Sequence, residues 1–322
     1  MRRGIFSLIA VFWVWSFLGG SLLAVEKYPS RPITFLVPFG AGGISDVTAR
    51  LLAEKFKVEL GQPILVMNKP GASGILALKY ALTQKADGYT VVVGPATEAL
   101  ASPYFQGVEP FDIKELSFVA SHLPQERVLF TTLDKPYKTF QEFIEYAKKH
   151  PDQIPVGSPT QWPLEVLKSI AVKEGLKMKF VVFKSGAEAS TAILGKHVDL
   201  CETGTGTPAF QAAREGKLIL LVNLGSETVP FFPEAKNLKQ LGYPFTTVIE
   251  YGMLVRTGTP EDIRKKLEDT LRKVLNDTDV KEKMINMGLT PRFLDGKGFE
   301  KIVTEVLKSV PELIKYNKAL QE

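Results

Sequence analysis

The hydrophobic pattern of the chain alternates between two periods from about residue 28 onward. Short apolar runs such as "ITFLVPF", "PILVMN" and "YTVVVG" have the length and the β-branched content of buried strands. The segment after the first run, "VTARLLAEKFKVEL", places apolar side chains on one helical face, at Ala49, Leu52, Ala53, Phe56 and Leu60. Strands that alternate with helices at this spacing predict βαβ units, and nearly continuous apolar strands predict a sheet that is covered on both faces.

The same alternation continues through the middle of the chain. Strand, small-residue corner and helix follow one another in "IPVGSPTQWPLEVLKSIAVKEG", "KFVVFKSGAEASTAILGKHVDL" and "DLCETGTGTPAFQAAREG". The last third predicts helices over 261–276, 278–287 and 297–320. The pattern therefore predicts an α/β fold with mostly parallel sheets.

The first 24 residues follow a different pattern. Two arginines precede an apolar run from residue 5 to residue 18, and small residues follow it up to Ala24. This is the arrangement of a secretory signal peptide, and the run is shorter than the roughly 20 residues of a membrane span. We therefore expect residues 1–24 to be a cleaved leader and the protein to be exported to the periplasm or the extracytoplasmic face of the membrane. The alternative is an uncleaved membrane anchor.

Composition and charge exclude several classes of function. The formal net charge is +5, and loss of the leader with its two arginines leaves about +3. No dense block of lysine and arginine with interleaved aromatics is present, so nucleic acid is not an expected partner. Cysteine and histidine are too few and too far apart for an internal disulfide or a Cys/His metal site. We therefore expect no metal and no cofactor. The residues concerned are Cys201, His122, His150 and His197.

Six corners of small residues each follow a predicted strand and precede a predicted helix. In parallel α/β sheets such corners lie at the carboxyl ends of the strands, where ligands bind. Helix N-termini there offer unpaired N–H groups and partial positive charge, and small side chains let an anion approach them. For any single corner, the alternative is simply a tight turn. The corners are 40–45, 70–74, 94–97, 157–161, 185–189 and 203–207, and none contains arginine.

Motifs for catalysis or nucleotide binding are not found. "GAGGIS" resembles a dinucleotide fingerprint, but Ser45 replaces its third glycine, and neither a P-loop nor a G-x-S-x-G motif occurs. Asp46 is expected to fix its loop. Three further acids, Glu98, Glu188 and Glu202, lie in or beside corners. They could act as acid or base groups, meet a cationic part of a ligand, or be first-turn acids of helices.

Three stretches carry a family resemblance. "YPSRPITFLVPFGAGGISD", "LGQPILVMNKPGASG" and "ADGYTVVVG" closely resemble the start of the tripartite tricarboxylate transporter substrate-binding (Bug-type) proteins. A weaker likeness continues through "GKHVDL", "GKLILLV" and "RTGTPEDIRKKL", so it covers nearly the whole mature chain. The resemblance implies a two-lobed periplasmic binding protein of type II, the flytrap fold, with a mostly parallel sheet in each lobe.

The resemblance also implies how the lobes and the function are arranged. Lobe 1 is expected to comprise 25–125 and 246–322, and lobe 2 to comprise 126–245. The lobes would close on a small carboxylate and deliver it to the membrane permease subunits of a secondary transporter. The protein would be a monomer and not an enzyme. The alternatives are a solute-sensing accessory of a membrane kinase and an enzyme that acts on a small anion.

In such proteins, loops equivalent to 38–46 and 70–74 hold one carboxylate, and the corners 157–161 and 185–189 would hold the far end of the ligand. The predicted ligand-binding residues are Phe39, Gly40, Gly42, Gly43, Asp46, Gly71, Ala72, Ser73, Gly74, Thr97, Gly157, Ser158, Thr160, Gly186, Ala187, Glu188 and Thr203.

The second lobe departs from the family pattern. The corner in "VGSPTQWPLEVL" is shorter than its usual counterpart and contains Trp162, and Glu188 stands where a small or apolar residue is usual. These two side chains motivate the hypothesis of a ligand whose far end is apolar or bears an amino group, instead of a C4 dicarboxylate or citrate.

Overall fold

The structure, a computed structural model, describes residues 27–319, so the predicted leader lies outside the described residues. The strands are β1 (Ile33–Val37), β2 (Ile64–Asn68), β3 (Thr90–Pro95), β4 (Leu116–Gln125), β5 (Arg127–Thr132), β6 (Pro155–Ser158), β7 (Lys179–Val182), β8 (Leu200–Gly204), β9 (Leu218–Asn223), β10 (Ile249–Arg256) and β11 (Leu294–Asp295). The helices are α1 (Ile44–Leu60), α2 (Ile75–Thr83), α3 (Ala96–Gln106), α4 (Phe140–Lys149), α5 (Gln161–Glu174), α6 (Gly186–Leu194), α7 (Pro208–Arg214), α8 (Glu261–Asn276), α9 (Thr278–Asn286) and α10 (Gly296–Ala319). None of these helices has the length and hydrophobicity needed to cross a bilayer.

Two sheets divide the strands, which confirms the predicted two-lobed α/β fold. The six-stranded sheet of lobe 1 has the order β11-β4-β10-β3-β1-β2, and the five-stranded sheet of lobe 2 has the order β7-β6-β8-β5-β9. The chain passes to the second sheet where β4 ends and β5 begins, and it returns between β9 and β10.

Both sheets are mixed, whereas the sequence pattern predicted mostly parallel sheets. In lobe 1, β1 pairs in parallel with β2 and β3, but β10 runs antiparallel to both β3 and β4. In lobe 2, β6 pairs in parallel with β7 and β8, but β5 runs antiparallel to both β8 and β9. The reversed strands β5 and β10 each come directly after a crossing between lobes, and the short β11 also runs antiparallel to its neighbour β4. Hydrophobic runs carry no information about strand direction, so the pattern could not distinguish them from the parallel ones.

Amphipathic helices cover the sheets as the hydrophobic pattern predicted. The apolar face of α1, including Leu52 and Phe56, is buried, and the ring of Phe56 packs edge-on against Phe35 of β1 with centroids 5.2 Å apart. At the end of the chain, Asn317 of α10 donates to the backbone carbonyl of Glu165 in α5 at 3.0 Å. The last helix therefore contacts α5 of lobe 2 and links the two lobes.

The N-terminus of α4 is stabilised by a capping box. The Thr139 hydroxyl accepts from the Glu142 amide at 3.2 Å, and the Glu142 carboxylate accepts from the Thr139 amide at 3.1 Å. We expect Thr139→Ala to lower the free energy of unfolding by about 1 kcal/mol in urea titrations, because the Glu142 N–H group loses its side-chain acceptor. Gln141→Ala, at an exposed position of the same helix, is the control; an equal loss there would contradict the capping argument.

Candidate functional site

A cleft between the two sheets contains an inner cavity of about 50 Å³. An outer cavity of about 560 Å³ lies beside it, and the two share Gly43, Ile44, Gly186 and Thr207 in their walls. The inner cavity is lined from lobe 1 by the corners after β1 and β3, and from lobe 2 by the corners after β6, β7 and β8. The carboxyl ends of strands from both sheets therefore face the same space.

The first wall is the loop between β1 and α1. Gly43 precedes the first residue of α1 with φ −80° and ψ 170°, and no side chain caps the helix there. The Asp46 carboxylate accepts from the Gly42 amide at 3.0 Å and pairs with Arg50 at 2.9 Å. Burial opposes ionisation of Asp46, but the hydrogen bonds from Arg50 and Gly42 outweigh it and lower its pKa. Asp46 thus fixes the loop, as predicted.

The helix N-termini around the cavity differ in their capping. Side-chain hydroxyls cap α6 at Ser185 and α7 at Thr207. No side chain caps α1 at Gly43, α3 at Pro95 or α5 at Thr160. The residues at these five N-cap positions all line the inner cavity. Among the residues that the structure describes, the first-turn N–H groups of these three helices therefore have no side-chain acceptor, and an anion in the cavity would supply one.

A buried ion pair lies against the second wall. Arg127, at the start of β5, is 5% exposed, and Glu202 of β8 is fully buried. The guanidinium donates to both carboxylate oxygens of Glu202, and also to the Thr160 hydroxyl at 3.3 Å. The Ser158 hydroxyl donates to the same carboxylate. Burial disfavours the charged guanidinium, but the attraction of Glu202 outweighs it and raises the pKa of Arg127.

A second carboxyl group enters the cavity from lobe 1. Glu98 lies in the first turn of α3 and is only 2% exposed. Burial raises its pKa from 4.5 to about 7, although the charge of Arg127 and the hydroxyl of Thr160 oppose the shift. Nearby, the Tyr251 hydroxyl donates to the side-chain oxygen of Gln125 at 3.0 Å, and both residues line the cavity. The interior of the cleft is therefore more charged than its small-residue corners suggest.

The structure brings part of the predicted set to the cleft. Phe39, Gly40, Gly43, Thr160 and Gly186 line the inner cavity, and Gly42 and Ala187 line the outer one. These residues come from predicted corners on both sides of the cleft.

Other predicted residues lie behind the walls of the two cavities. Thr97 accepts from the Glu250 amide at 2.9 Å, and Thr203 shares a hydrogen bond with Thr207 at 2.7 Å. Ser158 holds Glu202, and Gly157 lies under the ring of Phe183. These residues support the cavity walls from behind.

The loop with Gly71, Ala72, Ser73 and Gly74 lies outside the walls of both cavities. All four of its residues have positive φ, and Gly74 packs so closely on Ala99 and Pro38 that a Cβ atom would lie 2.8 Å from the Ala99 methyl. The loop braces α3 and the first corner.

Trp162 and Glu188, which motivated the altered far end, do not line either cavity. Trp162 is 2% exposed and packs in the core. The exposed Glu188 carboxylate accepts from the Lys184 amide at 2.8 Å, and its own amide donates to Ser185. Glu188 is thus a capping residue of α6.

Sequence reasoning missed several residues that line the inner cavity. Three of these, Gln125, Arg127 and Tyr251, lie in strands that border the crossings between lobes. A charged residue that opens the apolar run "RVLFTT" was the available signal for Arg127. The other lining residues lie in or beside the predicted corners but were not among the predicted ligand-binding residues: Ile44, Ser45, Pro95, Glu98, Pro159, Ser185 and Thr207.

Comparison with known proteins gives one consistent result. The sequence model of the tripartite tricarboxylate transporter family receptor, TctC, matches residues 48–318. A relative from Cupriavidus necator, "UPF0065 protein in gbd 5'region", is 30% identical over 292 residues, which cover 90% of this chain and 88% of the relative.

Solved structures show the same fold. The periplasmic binding protein BugD is 27% identical, with a TM-score of 0.78 and coverage of 90% of this chain and 99% of that one. MatC from Rhodopseudomonas palustris with bound malate is 25% identical, with a TM-score of 0.80 and coverage of 89% and 100%. These relatives are binding proteins, in agreement with the prediction that the chain is not an enzyme. The chain belongs to the tripartite tricarboxylate transporter receptor family.

Proposed function

We propose that this protein is a periplasmic receptor that binds a small carboxylate in the inner cavity and delivers it to the membrane subunits of a tripartite tricarboxylate-type transporter. The observation that carries the proposal is the convergence of three helix N-termini without side-chain caps, those of α1, α3 and α5, on one cavity between the lobes. Such N-termini bind anions through backbone N–H groups and the helix dipole.

The cavity-lining members of the predicted set supply the proposed contacts. Gly40 and Gly43 leave the lobe 1 backbone bare, and Thr160 and Gly186 face them from lobe 2. A Cβ atom on Gly40 would meet nothing within 4 Å, so its missing side chain leaves open space and does not relieve a clash. The similarity to MatC, whose structure holds malate, supports a carboxylate ligand. The predicted leader and lobe boundaries, and the monomeric state, belong to the same proposal.

Binding tests the proposal directly. Mature protein, residues 25–322, would be titrated calorimetrically with malate, succinate, citrate, aspartate and glutamate, and its Tm recorded with each. A ligand at 100 times its Kd is expected to add about 2.7 kcal/mol to the free energy of unfolding. If no small carboxylate binds or raises the Tm, the proposal is wrong. Uptake of the bound solute by cells should then fall when this protein is deleted, if delivery to a transporter is its role.

A substitution at Gly43 should block the cavity without unfolding the protein. A Cβ atom there meets only the Gly40 carbonyl, at 3.5 Å, and its φ of −80° suits any residue. We expect Gly43→Leu to weaken carboxylate binding at least tenfold, because its side chain occupies space that the ligand needs. Gly43→Ala is the matched control and should retain most of the affinity. Unchanged calorimetric affinity in Gly43→Leu would place the ligand elsewhere.

A further inference from the structure

The Glu98 carboxyl group has an unused hydrogen-bonding atom inside the cleft. Its Oε1 is fully buried and has no hydrogen-bond partner among the described residues. The side chain lines the inner cavity and is 98% removed from solvent by the protein. A buried polar atom without a partner is costly, so a group placed here without one indicates a missing partner in the cavity.

The charges that face Glu98 explain which kind of partner is missing. Three titratable groups face it from other elements: Arg127 of β5, Glu202 of β8 and Tyr251 of β10. Arg127 is already paired through two hydrogen bonds with Glu202. With both carboxylates ionised, the cluster of Glu98, Arg127 and Glu202 has two negative charges and one positive charge. One additional positive charge would make the cluster neutral.

We propose that Glu98 binds a cationic group of the ligand, and that the natural ligand is a small zwitterion with an ammonium group beside its carboxylate. The inference rests on the proposed carboxylate-binding function. The carboxylate of the ligand would meet the N–H groups at the starts of α1 and α5, and its ammonium would meet the free oxygen of Glu98. Each end of the ligand then lies against opposite charge.

The ligand-free state fits this assignment. Without a cation in the cavity, burial favours a proton on Glu98. An arriving ammonium takes the place of that proton as the compensating charge. Binding of a zwitterion near neutral pH should therefore release protons, whereas a ligand without an ammonium should bind best when Glu98 keeps its proton.

A competing arrangement uses the same residues differently. Arg127 could leave Glu202 and bind a second carboxylate of the ligand, in which case a dicarboxylate without an amino group would be preferred. The two arrangements predict opposite orders of affinity for compounds that differ only in the ammonium group.

The experiment compares matched pairs by calorimetry at pH 8.0: β-alanine with propionate, L-aspartate with succinate, and L-glutamate with glutarate. Wild-type protein is expected to bind the amino-bearing member of at least one pair about 10- to 100-fold more tightly than its partner, the range of a hydrogen bond to a charged group. Glu98→Gln keeps the shape of the side chain and removes its charge, and it should abolish this preference by weakening the zwitterion and strengthening its partner.

The matched control is Glu126→Gln. Glu126 is also a buried carboxyl whose pKa burial raises to about 7, but it lines a different pocket, next to Glu227 and Arg292. The preference for the zwitterion should survive in this variant, and its circular dichroism and Tm, like those of Glu98→Gln, report folding.

The outcomes distinguish a failure of the proposed role of Glu98 from a failure of the proposed carboxylate function. If members of these pairs bind wild-type protein but no amino-bearing member binds more tightly than its partner, or if Glu98→Gln keeps the preference, the role of Glu98 is wrong while the carboxylate function stands. If no member of any pair binds but malate or citrate does, the role of Glu98 is wrong and the carboxylate function stands; if none of these compounds binds, both fail. Proton release on zwitterion binding, measured in buffers of different ionisation enthalpy, should disappear in Glu98→Gln.

Discussion

Glu202→Ala is expected to lower the free energy of unfolding by about 3–5 kcal/mol, because it leaves the Arg127 guanidinium buried without its carboxylate partner. Glu202 is fully buried and accepts from Arg127 and from the Ser158 hydroxyl, so the substitution also removes an acceptor from Ser158. Urea denaturation at pH 7 measures the loss.

Two further variants show whether the uncompensated charge is the cause. Asp269→Ala removes the carboxylate of an exposed pair with Lys265 on α8 and should change stability by at most about 0.5 kcal/mol. The double substitution Arg127→Met with Glu202→Leu removes both charges and should recover much of the loss, since buried pairs replaced by apolar side chains of similar volume are often neutral. A double variant as unstable as Glu202→Ala would mean that packing at this position, and not charge, dominates.

The fold could be predicted from sequence because its signals are local. The apolar face of α1, the glycine after it and the alternation of strands and helices each follow from the spacing of a few neighbouring residues. The helix from Glu261 to Asn276 has the predicted bounds. Strand direction at the crossings between lobes could not be predicted, because β10 pairs with β3 and β4 through contacts more than 120 residues apart.

The candidate site also has a part that local sequence signals indicate and a part that they do not. The small-residue corners identified Gly40, Gly43, Thr160 and Gly186, because a bare backbone before a helix is visible in the sequence. Arg127 was not identified, since nothing local shows that a strand residue faces a cleft formed by two sheets. The family resemblance directed attention to Glu188 and Trp162, but the charged side chains in the cavity wall are Glu98 and Arg127, and Glu202 pairs with Arg127 behind that wall.

Glu98→Gln is expected to stabilise the ligand-free protein by up to about 3 kcal/mol at pH 8, although it removes the proposed contact for the ligand. Burial raises the pKa of Glu98 from 4.5 to about 7, so the folded protein holds this proton more tightly than the unfolded chain does. The stability that depends on the proton is complete below pH 4.5 and is lost as the pH rises through about 7. A glutamine has no charge to lose, so the difference in unfolding free energy between variant and wild type should grow between these pH values and then level off.

The difference between variants is the quantity to measure, because other buried groups titrate in the same range. Burial lowers the pKa of His122 from 6.5 to about 3, which makes stability fall as the pH drops below 6.5 and opposes the slope from Glu98. Subtracting the unfolding free energy of wild type from that of Glu98→Gln at each pH cancels the contribution of His122. Glu300→Gln, at an exposed position of α10, should show no such difference at any pH. A Glu98→Gln curve parallel to wild type from pH 4.5 to pH 8 would show that Glu98 is already ionised and compensated when the cavity holds no ligand, and the missing cation would have to be sought elsewhere in the cleft.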